Sequence, residues 1–254
     1  MKTAIVTGAS QGIGRAIAVR LGAEGYHVIL TGRNTALLEE AAAAIRDSGG
    51  EASTISRDLR EHAAAAEIVQ FAIDQTGRLD LAVSNAGATK RGEFDALTDD
   101  DFVDGFALKY FGAVRLTRAA WPHLKAAGGS IVYISGVGGR APGRQFAVGG
   151  SVNAALLAFT KAIAETGVRD GVQVNAILPG TIRTARFDAR LAAEARSGGR
   201  DRAEVEAAFI RDQGIRRIGE PEDVANLVAF VASEQGSLLH GALLDIDAGA
   251  TKGV

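Results

Sequence analysis

The stretch VTGASQGIGRAIA, Val6 to Ala18, decides the fold of this chain. Gly8, Gly12 and Gly14 follow the spacing G-x-x-x-G-x-G between an apolar run and a helical pattern. Glycine allows positive φ and lets a phosphate approach the backbone, and the next helix start offers free N–H groups and a positive dipole end. A plain tight turn carries similar glycines, but a place between the first strand and the first helix favours a pyrophosphate site.

Composition is that of an ordinary soluble domain with a real core. The chain has 254 residues, enough for one large α/β domain or two small ones. A net charge of -2 gives no reason to expect a nucleic acid or a membrane as partner. The absence of cysteine excludes thiol chemistry and, with no visible signal peptide and no apolar run of about 18 residues, favours a cytoplasmic location.

Short apolar runs alternate with helical patterns along the whole chain. The predicted strands are KTAIVT, YHVILT, EASTIS, LDLAVS, SIVYIS, VQVNAIL and ALLDID. The predicted helices lie near 13–24, 34–48, 61–76, 99–126, 151–166 and 221–233. Strands that are apolar throughout are covered on both faces, so we expect an α/β fold: a doubly wound, seven-stranded, mostly parallel, Rossmann-like sheet with helices on both faces.

We expect one domain over 1–254, because no Pro/Gly/Ser-rich linker divides the chain. The one irregular insertion is 183–217, which is highly charged and has helical pieces around an SGG break. A segment that follows a strand's carboxyl edge often covers the ligand crevice, so this insertion is interpreted as a lid or substrate segment. A solvated surface excursion is the alternative.

The end of the second strand bears on the choice of cofactor. An acidic residue there would bind the adenosine ribose 2′-hydroxyl, but this chain has Gly32 and then Arg33. A guanidinium can hold a 2′-phosphate and no carboxylate is present to repel it, which favours NADP(H) over NAD(H). An ordinary surface arginine is the alternative.

Several motifs together resemble the classical short-chain dehydrogenase/reductase family over essentially the whole length. They are TGASQGIG, the Asp58 of SRDLRE, the SNAG at 84–87, the LPGTIRT that includes Pro179, and the C-terminal GEPEDVANLVAFVAS and GALLDIDAGA. The resemblance implies a nicotinamide dinucleotide held by Gly8, Ser10, Gln11, Gly12, Ile13, Gly14, Arg33, Asp58, Leu59, Asn85, Ala86, Gly87, Pro179, Gly180, Ile182 and Thr184.

The residues that carry the family's chemistry are different here. Members usually have a serine after the fifth strand, a Tyr-x-x-x-Lys on the next helix and an asparagine on the preceding helix. At that register this chain has Gly136 for the serine, Gly149 for the tyrosine and Asn153 for the lysine. The asparagine position falls on Lys109. The chain is therefore interpreted as a divergent member without the serine, tyrosine and lysine.

Lys109 and Asn153 are the family's two residue types at exchanged positions. The resemblance places the two positions near each other, so Lys109 could bring an ammonium to about the same place; a solvent-facing lysine is the alternative. We take Lys109, Asn153 and Ser135 as the candidate catalytic residues and expect no metal, since the four histidines show no ligand spacing.

Two functions follow from these residues. The first is an NADP(H)-dependent oxidoreductase that transfers a hydride between nicotinamide and the carbonyl or hydroxyl group of a small molecule, with a non-standard site. The second is an NADP(H)-binding sensor or an inactive oligomer subunit. A lyase or isomerase reaction in the same pocket is a third reading that no sequence feature favours. The resemblance also implies a homo-oligomer, a dimer or tetramer, built on helices 99–126 and 151–166.

Overall fold

A computed structural model describes residues 1–252 and shows one parallel sheet. Its strand order is β3-β2-β1-β4-β5-β6-β7. The strands are β1 Lys2–Thr7, β2 Tyr26–Gly32, β3 Glu51–Ser56, β4 Leu81–Ser84, β5 Ser130–Ile134, β6 Gln173–Pro179 and β7 Leu243–Ile246. The Rossmann-like prediction is confirmed, and every strand pair is parallel rather than most of them.

Helices cover both faces of the sheet, as the apolar strands predict. They are α1 Gly12–Ala23, α2 Thr35–Asp47, α3 Ala64–Thr76, α4 Asp99–Gly105, α5 Gly112–Ala127, α6 Ala147–Asp170, α7 Ala185–Gly198, α8 Arg202–Gln213 and α9 Pro221–Val231. Side chains of β1 alternate between the two cores: Val6 packs with α1, α2 and α9, whereas Ile5 packs with α3, α5 and α6. This alternation follows from the two-residue period of a strand.

Two of the predicted helices have different bounds. The pattern at 99–126 is divided by a π-helical turn, Phe106–Phe111, between α4 and α5. Such turns are rare and concentrate at functional sites, and this one carries Lys109. The pattern at 151–166 belongs to the longer α6, which begins before the glycine pair.

Helix α6 is the one helix among residues 1–252 with the length and composition of a membrane span. Its apolar face is used inside the protein, since Val152 and Leu156 are fully buried. The same helix contributes Asn153 to the candidate site.

The insertion at 183–217 folds into α7 and α8, which meet at the SGG break. Phe187, Leu191 and Val205 form a small core of their own there, separate from the two cores of the sheet. Arg183 joins the segment to the main body through ion pairs with Glu206 at 2.6 Å and Glu220 at 3.0 Å. The insertion is thus a packed helical pair, and its role as a lid stays a prediction.

Candidate active site

The glycine turn has the backbone that its sequence predicts. Gly8 and Gly12 have positive φ values of 66° and 56°, a conformation that residues with side chains rarely adopt. Position 14 requires glycine because α1 packs tightly on the turn there: a Cβ at Gly14 would lie 2.2 Å from the carbonyl oxygen of Gly8. The turn therefore allows the start of α1 to pack directly on the end of β1.

Thr7 joins this turn to the SNAG segment after β4. The Thr7 hydroxyl accepts hydrogen bonds from the backbone N–H groups of Asn85 and Ala86, both at 2.9 Å. The Asn85 amide donates to the Thr7 carbonyl at 2.9 Å. Two predicted cofactor segments that are far apart in sequence are therefore held side by side at the carboxyl edge of the sheet.

The start of α1 has a backbone suited to an anion. Gln11 is the N-cap and its side chain makes no capping hydrogen bond, and the first turn has no acidic residue. Free N–H groups and a positive helix end attract phosphate. Ser10 lies in the turn beside Gly32, and Ile13 is partly buried against the core.

The end of β2 places a guanidinium next to the acidic residue that follows β3. The Arg33 guanidinium lies 3.7 Å from a carboxylate oxygen of Asp58, and its side chain stays 67% exposed. Asp58 also accepts from the backbone N–H of Arg60 at 3.0 Å. Leu59, the next residue, is buried.

The PGTIRT segment after β6 closes against the glycine turn. Gly180 donates its N–H to the Ile246 carbonyl at 3.0 Å, which aligns the end of β6 with β7. Thr184 is the N-cap of α7 and its Cγ2 atom lies 3.4 Å from where a Cβ at Gly12 would be. Ile182 is buried, and Pro179 ends the strand. The glycine turn therefore lies against both the SNAG and the PGTIRT segments, and we call the space that they border the crevice.

Lys109 and Asn153 are in direct contact. The Lys109 ammonium donates to Asn153 Oδ1 at 2.7 Å and to the Ser135 carbonyl at 2.8 Å. The π-helical turn carries the lysine inward, and its stem runs across Gly87, where a Cβ would lie 2.8 Å from Lys109 Cδ. The solvent-facing alternative for Lys109 does not fit these contacts.

Burial changes the acidity of this lysine. It lowers the pKa of Lys109 from 10.5 to about 8. Both acceptors of the ammonium are uncharged oxygens, so they orient it without the full compensation that a carboxylate would give. A lysine with such a pKa can give up and regain a proton near neutral pH.

Ser135 takes part through its backbone. Its carbonyl accepts from Lys109, whereas its hydroxyl donates to the Asn153 carbonyl at 3.2 Å. That hydroxyl is buried and holds β5 to α6. Ser135 therefore contacts both Lys109 and Asn153, and its catalytic role stays a prediction.

Phe146 occupies the space beside the glycine that stands at the tyrosine register. A Cβ at Gly149 would lie 2.1 Å from the Phe146 ring, and a Cβ at Gly138 would lie 2.6 Å from it. Pro142 covers Gly150 in the same way, at 2.6 Å. Packing therefore requires glycine at positions 149 and 150, near the start of α6. Sequence reasoning missed Phe146, because the sequence does not show which side chain fills the space beside these glycines.

The three tyrosines serve packing. Tyr133 is fully buried and its hydroxyl shares a hydrogen bond of 2.8 Å with Thr117, and burial raises its pKa. Tyr26 is buried at the start of β2. Tyr110 packs edge-on against Phe159, with ring centres 5.9 Å apart. Within residues 1–252 there is also no group of three or more metal-ligating side chains.

Comparisons with known proteins identify the family of this chain. A family model described as Enoyl-(Acyl carrier protein) reductase matches residues 8–251. An uncharacterized oxidoreductase of Mycobacterium tuberculosis, MT0954, is 33% identical over 252 residues, covering 98% of this chain and 92% of that protein. The chain belongs to the short-chain dehydrogenase/reductase family and is an oxidoreductase.

Two solved structures are informative neighbours. L-sorbose reductase from Gluconobacter frateurii, in complex with NADPH and L-sorbose, has a TM-score of 0.96 at 28% identity, covering 100% of this chain and 97% of that one. An NADPH-bound short-chain oxidoreductase from Pseudomonas aeruginosa PAO1, described as containing an atypical catalytic centre, has a TM-score of 0.91 at 25% identity, covering 100% and 98%.

Proposed function

We propose that this protein is an NADP(H)-dependent oxidoreductase in which Lys109 exchanges the proton that accompanies hydride transfer. The observation that carries the proposal is the 2.7 Å contact between the Lys109 ammonium and Asn153. This contact supports the proposal because it joins an ammonium of lowered pKa to the residue at the register of the family's lysine.

The crevice fits a nicotinamide dinucleotide phosphate. Gly8 and Gly12 leave the turn free of side chains at positive φ, beside a helix start without a side-chain cap. We assign the pyrophosphate to Gly8, Gly12 and the start of α1, and the adenine end to Asp58 and the Leu59 backbone. When bound, NADPH supplies the hydride. The NADPH complexes of the two solved neighbours support this assignment.

The phosphate preference rests on Arg33. Its guanidinium is exposed beside the end of β2, where a 2′-phosphate would lie in this fold. Its ion pair with Asp58 is long at 3.7 Å, so the guanidinium keeps most of its hydrogen-bonding capacity.

The proton step uses groups of this chain alone. Reduction of a substrate carbonyl places a negative charge on its oxygen, and Lys109 Nζ gives a proton to that oxygen. Asn153 Oδ1 and the Ser135 carbonyl hold the Nζ in place throughout. The neutral amine then regains a proton from solvent, and in the oxidative direction it accepts the hydroxyl proton. General acid–base help of this kind contributes about 10²–10⁴ in rate.

We also propose that the protein forms a homodimer or tetramer and that it is located in the cytoplasm. Val103 and Phe111 are exposed on the helical segments around 99–126 at 65% and 45%, which supports a homodimer or tetramer built on that surface. Light scattering of the purified protein tests it. A chain without cysteine suits the cytoplasm.

Deuterium transfer and a Lys109→Met variant test the function. Labelled NADPH is incubated with wild type and a panel of ketones that includes L-sorbose, and the label is traced in the alcohol product. We expect stereospecific transfer, a fall in turnover of about 10² or more in Lys109→Met, and nearly unchanged NADPH affinity. Lys161→Met, which removes an exposed lysine from α6, is the matched control.

Two results would overturn the proposal. Equal turnover in Lys109→Met would remove the lysine from the chemistry. NADPH binding without any label transfer over the whole panel would favour the sensor or the inactive subunit.

A further inference from the structure

Three arginines outside the proposed catalytic residues gather at one side of the crevice. We call Arg91, Arg186 and Arg190 the arginine patch. Arg91 follows β4, and the other two lie on the first turns of α7. Partial burial and the two neighbouring like charges lower the pKa of Arg91. The segments that carry the patch are separate in sequence, so the fold brings the charges together.

Aromatic rings hold two of the patch guanidiniums in place. The Arg91 guanidinium lies over the Phe146 ring, 4.2 Å from its centre. Arg190 lies 5.2 Å from the centres of both Phe187 and Phe209. Stacking on a ring fixes the plane of a guanidinium while leaving its N–H edge free to donate.

The patch has no acidic partner within residues 1–252, where none of its three side chains forms an ion pair or a side-chain hydrogen bond. The nearby acids are already paired. Asp104 accepts two hydrogen bonds from Arg60, at 2.6 and 2.9 Å, and Asp101 pairs with Lys90 at 2.9 Å. The patch is therefore a concentration of positive charge without internal neutralisation.

An open cavity of about 400 Å³ lies beside two of the three patch arginines. Arg91, Arg186, Ala88, Thr89, Lys90 and Asp104 line it. Phe146 links it to the catalytic groups, since the same ring that carries Arg91 lies against Gly149 and Gly138. A Cβ at Gly138 would in turn be 3.9 Å from the Asn153 amide.

We propose that the arginine patch binds an oxyanion, a carboxylate or phosphate group, on the substrate. The substrate is then an anionic carbonyl compound or alcohol whose charged group lies by Arg91 and Arg186 and whose reacting carbon lies by Lys109. This inference rests on the proposed function for the place of the reacting carbon. Three like charges held close together repel one another, and an anion removes that cost while accepting paired N–H donors.

Binding of simple anions to the NADPH-saturated protein tests the proposal. The probes are benzoylformate, its uncharged methyl ester, and phenyl phosphate, each followed by calorimetry. We expect at least one anion to bind about tenfold more tightly than the ester, with affinity falling as salt is added. Comparison of benzoylformate with phenyl phosphate shows which oxyanion is preferred.

Substitutions in the arginine patch test whether the patch is the site where the anion binds. Arg91→Met and Arg186→Met are expected to weaken the anion about tenfold each while leaving the ester and NADPH unaffected. Arg144→Met is the matched control, because Arg144 lies in the same region but is paired with Glu93 at 2.9 Å. Thermal melting of each variant confirms that it is folded.

Several outcomes would overturn the inference. The first is that the anions bind no better than the ester, and the second is that the patch variants keep full anion affinity. The third is that the variants lose NADPH affinity and anion affinity by the same factor, which would assign the arginines to the cofactor. Anion binding does not need turnover. Anion binding that depends on the patch, without label transfer from NADPH, would therefore leave this inference standing and overturn the proposed function.

Discussion

The cofactor end and the reaction end of this crevice share one sheet edge but are built in different ways. The proposed cofactor end is built mainly from backbone: positive φ at Gly8 and Gly12, close packing at Gly14, and the free start of α1. The proposed reaction end is built from side chains, chiefly Lys109 and Asn153. A backbone site depends on glycine at fixed places, whereas a side-chain site can be rebuilt from another element.

On the proposed function, the reaction end is a site rebuilt in this way. Its ammonium comes from the π-helical turn that precedes α5 instead of from α6, and this turn carries Lys109 inward. The space beside Gly149 is taken by Phe146. Lys109 contacts Asn153 directly, and the Phe146 ring lies against Gly138, which is next to the Asn153 amide.

The largest effect is expected at the cofactor end, from Gly14→Ala. The added Cβ would lie 2.2 Å from the Gly8 carbonyl oxygen and 2.5 Å from the Asn85 amide, and backbone cannot move aside at low cost. We expect NADPH affinity to fall by more than about 100-fold, since the turn and the helix start must separate. Fluorescence titration with NADPH measures it.

Gly143→Ala is the control for that change, because a Cβ at Gly143 meets nothing within 4 Å. Near-normal NADPH binding by Gly14→Ala, with the fold intact by circular dichroism, would show that the cofactor end tolerates rebuilding as the reaction end does. That result would contradict the proposed difference between a cofactor end built from backbone and a reaction end built from side chains.

At the reaction end, the pH dependence of turnover should report Lys109. Its pKa of about 8 means that the ammonium, the acid needed for carbonyl reduction, is lost as pH rises through about 8. We expect the reductive rate to fall there and the oxidative rate to rise. In Lys109→Arg this inflection should disappear, because a guanidinium stays protonated. An unchanged inflection in that variant would assign it to another group.

The same lysine affects stability. Its pKa is lowered in the folded protein from 10.5, so the folded state disfavours the ammonium, and this cost is fully present below pH 8. Wild-type stability relative to Lys109→Met should therefore rise between about pH 8 and 10.5, by about 3 kcal/mol in total. Urea unfolding of both proteins across that range measures the difference, and a flat difference would contradict the burial of the charge.

Because the Phe146 ring fills the space beside Gly149, substitutions at these two residues should have coupled effects on stability. Gly149→Ala should destabilise the fold by about 1–3 kcal/mol, because its Cβ would overlap the Phe146 ring. Phe146→Ala removes the ring, so in the double variant most of that overlap is relieved and the two effects are not additive. Additive effects in urea unfolding would mean that the ring does not fill this space.

The fold and the cofactor end could be predicted from the sequence because their signals are local. Apolar strands, glycine spacing and the SNAG and PGTIRT segments each lie within a few consecutive residues. The register also identified Lys109 and Asn153. Phe146 and the arginine patch could not be found in this way, because they depend on side chains from separate elements that meet only in the fold. The start of α6 was placed too late because glycines are poor helix formers, and here packing overrides that preference.

The smallest effect is expected from Arg33→Met, which removes a charged side chain from the cofactor end. Arg33 is 67% exposed and only loosely paired with Asp58, so solvent weakens whatever it contributes. We expect NADPH affinity to fall by about tenfold and NADH affinity to stay the same, with the NADPH loss smaller at high salt. Arg46→Met, which removes an exposed arginine paired with Glu39 on α2, is the control. Equal losses for NADPH and NADH would show that Arg33 holds a part shared by both cofactors, and the preference for the phosphate would then have to come from the backbone around Gly32.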